Sequence, residues 1–211
     1  MTCEAFRTDR AVLSPAPLYW LPLVSDDEQL IDQALSGDSD AFGQLVRRYQ
    51  DRLFSSLVHI ASSREEAEDV AQDTFVQAMQ KLSTFHRRSS FYTWLYRIAV
   101  NTALYRQRRH RPTASVDSTR AATGNDPVDQ TADPADRLVR EERAAAVQRA
   151  LGQLSEEFRL VLVLRDIEGF NYQAIAEILD VSIGTVRSRL HRARSLMRHH
   201  LSEHQSGLRK E

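Results

Sequence analysis

Between Thr74 and Val116 the chain carries no acidic residue, while Lys81, Arg87, Arg88, Arg97, Arg106, Arg108, Arg109 and Arg111 all fall in that window. A second acid-free basic run, from Ile183 to His200, holds Arg187, Arg189, Arg192, Arg194 and Arg198. Guanidinium clusters with no carboxylates among them are the electrostatic footprint of a surface that neutralises phosphates. The first run is threaded with rings: Phe85, Phe91, Tyr92, Trp94, Tyr96 and Tyr105. Phe91, Leu95, Ile98 and Thr102 read as a buried helical stripe, and Trp94 fits either side of it. Phe85, His86 and the Arg87-Arg88-Ser89-Ser90 loop fall outside the stripe, and Arg97 and Asn101 lie on a polar face. Positive charge, stacking rings and hydrogen-bonding side chains together suit unstacked, single-stranded bases. In the second run Thr185, Ser188, Arg189 and Arg192 point outward, flanked by Arg187, His191 and Arg194. Arginine can donate two hydrogen bonds to guanine, and Thr or Ser can reach a base or a phosphate. Gly184 permits close approach at the helix start, where unpaired backbone N–H groups favour a phosphate.

Other chemistry finds no residues. There are no paired carboxylates, no nucleophile–base set and no phosphate-binding glycine loop, so a catalytic site is not expected. His200 and His204 stand one helical turn apart without further ligands, so no metal site and no cofactor are expected. Cys3, the single cysteine, excludes an intramolecular disulfide and reads as an inert thiol in a reducing compartment.

The elements that must carry these residues are helices. Leu30, Ile31 and Ala34 mark a short helix ended by Ser36-Gly37, and Asp38 caps a second with Phe42, Leu45, Val46, Tyr49, Leu53, Leu57 and Ile60 inward. Ser63 and Glu66 form a capping box for a third helix burying Ala67, Val70, Ala71, Phe75, Ala78 and Leu82. Ser89 or Ser90 caps a fourth, from Phe91 to about residue 109, stopped by Pro112. A further helix over 138–151 precedes one capped by Ser155, carrying Phe158, Val161, Leu162 and Ile167 and closed by Gly169. Asn171 caps a short helix, and Asp180-Val181-Ser182 turns the chain into a last one burying Ile183, Val186, Leu190, Ala193, Met197 and Leu201: a helix-turn-helix. The expected fold is all-α, two small helical domains joined by a flexible acidic linker, the second domain containing the helix-turn-helix. The expected boundaries are a disordered N-terminal extension at 1–25, a first domain at 26–111, the linker at 112–135 and a second domain at 136–204. Asp117, Asp126, Asp129 and Asp133, with Asp136 at its end, supply the linker's acidity.

Taken as a total, the charges point away from nucleic acid. The 211 residues hold 28 Lys+Arg and 29 Asp+Glu, a formal net charge of −1, where nucleic-acid binders are usually basic. The positions of the charges outweigh their sum: the acids crowd the third helix (Glu65, Glu66, Glu68, Asp69, Asp73) and the linker, away from both basic runs. The longest apolar stretch near the N-terminus, 18–24, is broken by Pro22, too short to span a bilayer and a poor signal peptide, so membrane insertion is not expected and a cytoplasmic location is.

Four segments resemble the sigma-70 family, specifically the two-domain extracytoplasmic-function (ECF) sigma factors of bacteria. Ser90-Phe-Tyr-Thr-Trp-Leu-Tyr-Arg-Ile-Ala-Val-Asn-Thr-Ala103 resembles the family's strand-opening helix, and Arg64-Glu-Glu-Ala-Glu-Asp-Val-Ala-Gln-Asp-Thr-Phe75 its polymerase-docking helix. Glu168-Gly-Phe-Asn-Tyr-Gln-Ala-Ile-Ala-Glu-Ile-Leu179 and Gly184-Thr-Val-Arg-Ser-Arg-Leu-His-Arg-Ala-Arg194 resemble its final helix-turn-helix. The resemblance implies a non-enzymatic factor, monomeric when free, that binds core RNA polymerase, recognises the −10 and −35 promoter elements and helps melt the DNA. Glu68, Asp69, Gln72, Asp73 and Gln80 would dock on the polymerase. Phe85, Arg87, Arg88, Trp94, Arg97, Asn101, Arg106, Arg108 and Arg109 would serve the −10 region, the last three through phosphates. Arg165, Ser182, Gly184, Thr185, Arg187, Ser188, Arg189, His191, Arg192 and Arg194 would read −35. An anti-sigma factor covering both domains is a further implied partner. One departure stands out: relatives often carry a small or acidic residue in the loop where Arg87 and Arg88 stand. An ordinary helix-turn-helix regulator accounts for the last helix, but not for the aromatic basic run or the acidic face.

Overall fold

A computed structural model describes the backbone of residues 24–109 and 134–208, and the side chains of 26–109 and 142–202. Cys3, Pro112, the linker aspartates and the His204 side chain lie outside the described residues. Every described element is helical: α1 Val24–Leu35, α2 Ser39–Leu57, α3 Arg64–Lys81, α4 Phe91–Arg109, α5 Pro134–Gln153, α6 Glu156–Leu162, α7 Tyr172–Leu179 and α8 Ile183–Leu208. A short 3₁₀ turn, Leu82–Thr84, follows α3.

Local chemistry fixes most helix ends. The Asp38 carboxylate accepts from the N–H groups of Asp40 and Ala41, Ser90 Oγ from Thr93 N–H, Asn171 Oδ1 from Ala174 N–H and Ser182 Oγ from Thr185 N–H. Each satisfies a donor that the first turn leaves open. At α3, Ser63 Oγ accepts from Glu66 N–H as a capping box requires, but the Glu66 carboxylate reaches one residue further back, to Ser62 N–H at 2.8 Å. Gly37 and Gly169 adopt positive φ (103° and 75°), the left-handed conformation that lets a chain leave a helix. Asp180 does the same without glycine's freedom, at φ 53°.

One helix departs from its expected pattern. After Leu162 the backbone widens into a π-helical turn, Val163–Ile167. The extra residue in that turn shifts the register, and Ile167, expected inside, is 43% exposed.

Helices α1 to α4 pack on one another around Leu45, Leu53, Leu57, Ala67, Val70 and Leu95, all fully buried. Removing a leucine side chain of this kind from water is worth about 1.5–3 kcal/mol. Helices α5, α6 and α7 pack on α8 around Leu151, Val161, Leu164, Ile175 and Val186. The two groups meet where α4 touches α7. Phe170 stacks on Tyr92 (centroids 5.8 Å, 16° between planes) and meets Tyr96 edge-on at 5.4 Å. The Glu168 side chain, 5% exposed, accepts from Tyr92 Oη at 3.0 Å and Arg52 Nε at 3.1 Å. The Arg52 guanidinium lies 4.1 Å over the Tyr92 ring. Burial and the neighbouring Glu168 charge push the Tyr92 phenol well above its ordinary pKa.

Candidate nucleic-acid interface

The outer face of α8 is built by its own periodicity. Val186, Leu190 and Ala193 are buried, which turns Ser188, His191 and Arg192 to solvent at the opposite side of the helix. The flanks are tied down. Arg189 pairs with Glu157 of α6 at 2.6 Å, and Arg194 makes two hydrogen bonds to Asp166, at 3.0 and 2.5 Å. Arg187 and Arg165 both lie over the Tyr172 ring, at 6.0 and 5.1 Å, and Arg165 also donates to the Phe170 carbonyl at 2.8 Å. Thr185 and Ser182 share a hydroxyl hydrogen bond at the helix start, beside Gly184. The ten residues expected at the −35 surface therefore lie on or beside one helix, its apex held by Ser188, His191 and Arg192.

In α4, Trp94, Arg97, Asn101 and Arg108 share one side, since these spacings return within about 60° at ~100° per residue. Arg97, Asn101 and Arg108 are exposed. Phe85 joins them from the preceding loop: its ring packs against Phe91 (5.9 Å, edge-on) and Trp94 (5.3 Å), leaving both Phe85 and Trp94 half-buried at the surface. Burial thus places Phe91 in the core and leaves a ring face available at Phe85 and Trp94, while Tyr92 and Tyr96 lie beneath Phe170. Arg87 takes a left-handed backbone conformation (φ 56°) and its guanidinium pairs with Asp32 of α1. Arg88 is exposed, as is Arg109, which lies 5.7 Å over the Tyr105 ring. Arg106 stands apart. Nine residues beyond Arg97, it projects about 180° away from it, and it hydrogen-bonds to Asp69 and Asp73 on α3. Those bonds hold its pKa above the ordinary arginine value.

On α3, Glu68, Asp69, Gln72, Asp73 and Gln80 fall on the side away from Ala67, Val70 and Ala78. Val76 and Met79, to which the sequence patterns assign no role, lie among them at 51% and 56% exposure. Their exposure could have been read from the sequence: both are apolar and both miss the core stripe of α3. Among the described residues no group of His, Cys, Asp and Glu could hold a metal ion, and no helix is long and apolar enough to cross a membrane.

Among the described residues the architecture is all-helical, with a cationic helix-turn-helix in one group of helices and an aromatic, arginine-lined helix beside an acidic and apolar one in the other. Comparison with known proteins assigns that architecture to a family. Residues 45–113 match sigma-70 region 2 and residues 144–197 match sigma-70 region 4. The chain is 39% identical over 173 residues to the RNA polymerase sigma-H factor of Pseudomonas aeruginosa, covering 80% of this chain and 90% of that one. The same figures hold for the ECF RNA polymerase sigma-E factor of Escherichia coli K12. Among solved structures, it is similar to CnrH in complex with the cytosolic domain of CnrY (31% identity, TM-score 0.61, covering 84% of this chain and 98% of that one). It is also similar to the sigma factor RpoE of Bartonella quintana in complex with the anti-sigma factor NepR (26%, TM-score 0.61, 76% and 96%). The chain belongs to the sigma-70 family of RNA polymerase sigma factors, in its ECF group.

Proposed function

We propose that this sigma factor docks on core RNA polymerase through the acidic and apolar face of α3, opens −10 DNA with α4 and its preceding loop, and reads −35 with α8. The observation that carries the reading is the sorting of side chains by helix face. Charge and rings sit outward on α4, arginine and hydroxyls outward on α8, carboxylates with Val76 and Met79 outward on α3. Phe85 and Trp94 offer stacking faces for unstacked bases, with Arg97 and Asn101 beside them as hydrogen-bond donors. Arg108 and Arg109 steer the adjoining duplex by its phosphates. Residues 26–111 and 136–204 act as the two sigma domains, and 112–135 as the acidic connector between them, whose aspartates suit a cationic nucleic-acid channel. RNA synthesis belongs to the polymerase; the factor contributes binding energy and no catalytic group, and works where the polymerase works, in the cytoplasm. Structural relatives solved with CnrY and with NepR support an anti-sigma factor as the inhibitory partner.

Transcription with purified core polymerase on selected promoter templates, with and without the protein, tests the proposal. Promoter-dependent initiation is expected only in its presence. Tight binding to a duplex operator without polymerase, and no initiation, would instead favour a simple helix-turn-helix regulator.

A further inference from the structure

We infer that Arg106 is a positioning residue of the polymerase-docking face rather than a DNA phosphate contact. The inference rests on the proposed role of α3 as the docking helix. Asp69, Asp73 and Gln77 recur every four residues along the outer flank of α3 that borders α4, and Thr102 and Arg106 answer them at the same spacing on α4. Arg106 donates from Nε and Nη2 to Asp73 Oδ2, at 3.0 and 2.6 Å, and from Nη1 to Asp69 Oδ2, at 2.8 Å. Gln77 Nε2 donates to Thr102 Oγ1 at 2.9 Å, the next rung of the same ladder.

Three of the five guanidinium N–H donors, one on each nitrogen, are engaged by carboxylates, and two negative charges already neutralise the cation that a phosphate would seek. The Arg106 side chain is only 25% exposed, whereas Asp69 and Asp73 are 61% and 47% exposed; the acids face outward and the arginine backs them. Two carboxylates one turn apart also repel each other, and a shared guanidinium removes that repulsion while fixing both rotamers. Arg106 thus presents a rigid carboxylate pair to cationic or amide groups of the polymerase.

Core-polymerase affinity of the full-length protein, measured by fluorescence competition, separates the two roles. Asp69→Ala/Asp73→Ala establishes the docking contribution. Arg106→Ala is expected to lose about tenfold in core affinity, roughly 1.4 kcal/mol, and the triple variant is expected to be no weaker than the double. That non-additivity is the signature of residues acting as one unit. Arg106→Lys, which keeps charge but not the forked geometry, should stay weak, and Arg106→Gln serves as a second variant should Arg106→Ala fold poorly. With preassembled holoenzyme, the salt dependence of promoter binding should not change. If Arg106→Ala leaves core affinity intact while lowering promoter affinity and reducing the salt slope by about 1, the inference is overturned and Arg106 is a phosphate contact. Weakened Asp69→Ala/Asp73→Ala beside intact Arg106→Ala and Arg106→Gln overturns the inference alone; an unaffected aspartate pair overturns the docking role and the inference together.

Discussion

Arginines of similar sequence context differ sharply in what their side chains do. On α8, Arg189 and Arg194 are braced against Glu157 and Asp166, while Arg192 occupies the helix apex with Ser188 and His191. Braced arginines are committed to carboxylates of their own helical group; on the proposed reading, the apical one reaches a base edge. Arg192→Ala should therefore cost about 1–3 kcal/mol of −35 discrimination, measured as holoenzyme affinity on promoters with swapped −35 elements, and leave −10 swaps unaffected. Arg189→Ala should move −35 discrimination less. If the two variants penalise −35 swaps equally, the apex assignment fails. Most of this surface was legible in the sequence, because the buried stripe Val186, Leu190 and Ala193 dictates which residues point outward. The same arithmetic, applied to the nine-residue step from Arg97 to Arg106, separates these two arginines onto opposite sides. Counting charges in a run hides what helical phase reveals.

At the scale of elements, caps made the helices legible and packing made their exceptions. Asp38, Ser63, Ser90 and Asn171 cap helices in the structure at the places their side chains suggested, because an N-cap is chemistry between neighbours in sequence, whereas Ser155 stands at the N-cap of α6 without a side-chain cap bond. Asp38→Ala removes the acceptor for two N–H groups of α2, and urea unfolding should show a loss of about 1 kcal/mol. The π turn at Val163–Ile167 was not legible, since widening one turn answers to the tertiary packing around it rather than to local propensity. On α3 the exposed pair Val76 and Met79 makes the proposed docking face partly apolar. Met79→Asp removes apolar contact at an exposed position, so it should weaken core binding about tenfold or more with little change in Tm. A large drop in Tm would place Met79 in the fold rather than on the interface.

For the whole molecule, the decisive feature is the contact between α4 and α7, which no local pattern announces. Tyr92 and Tyr96 read in sequence as members of a base-stacking series, and become buried partners of Phe170 only because residues about 75 positions away fold against them. A compact body of roughly 160 residues, the number described, has a radius of gyration near 15 Å, hence a span of about 40 Å. Promoter elements about 25 base pairs apart, at ~3.4 Å per pair, lie some 85 Å from each other. On the proposed reading, one molecule of this span engages both elements only if the clasp of Arg52, Tyr92, Glu168 and Phe170 opens, and the expected linker of about 24 residues, ~80 Å if fully extended, is long enough for that separation. Phe170→Ala combined with Tyr92→Phe removes the stacked ring and the phenol hydrogen bond while leaving the apolar core of each helical group in place. The free double variant should scatter X-rays with a larger radius of gyration than the parent, and fluorophores on α1 and α8 should lose energy transfer. Because the parent spends binding energy on opening, the variant should also bind core polymerase more tightly. Unchanged scattering and energy transfer would show that these contacts do not hold the two halves together; expansion without a gain in core affinity would show that opening does not oppose docking.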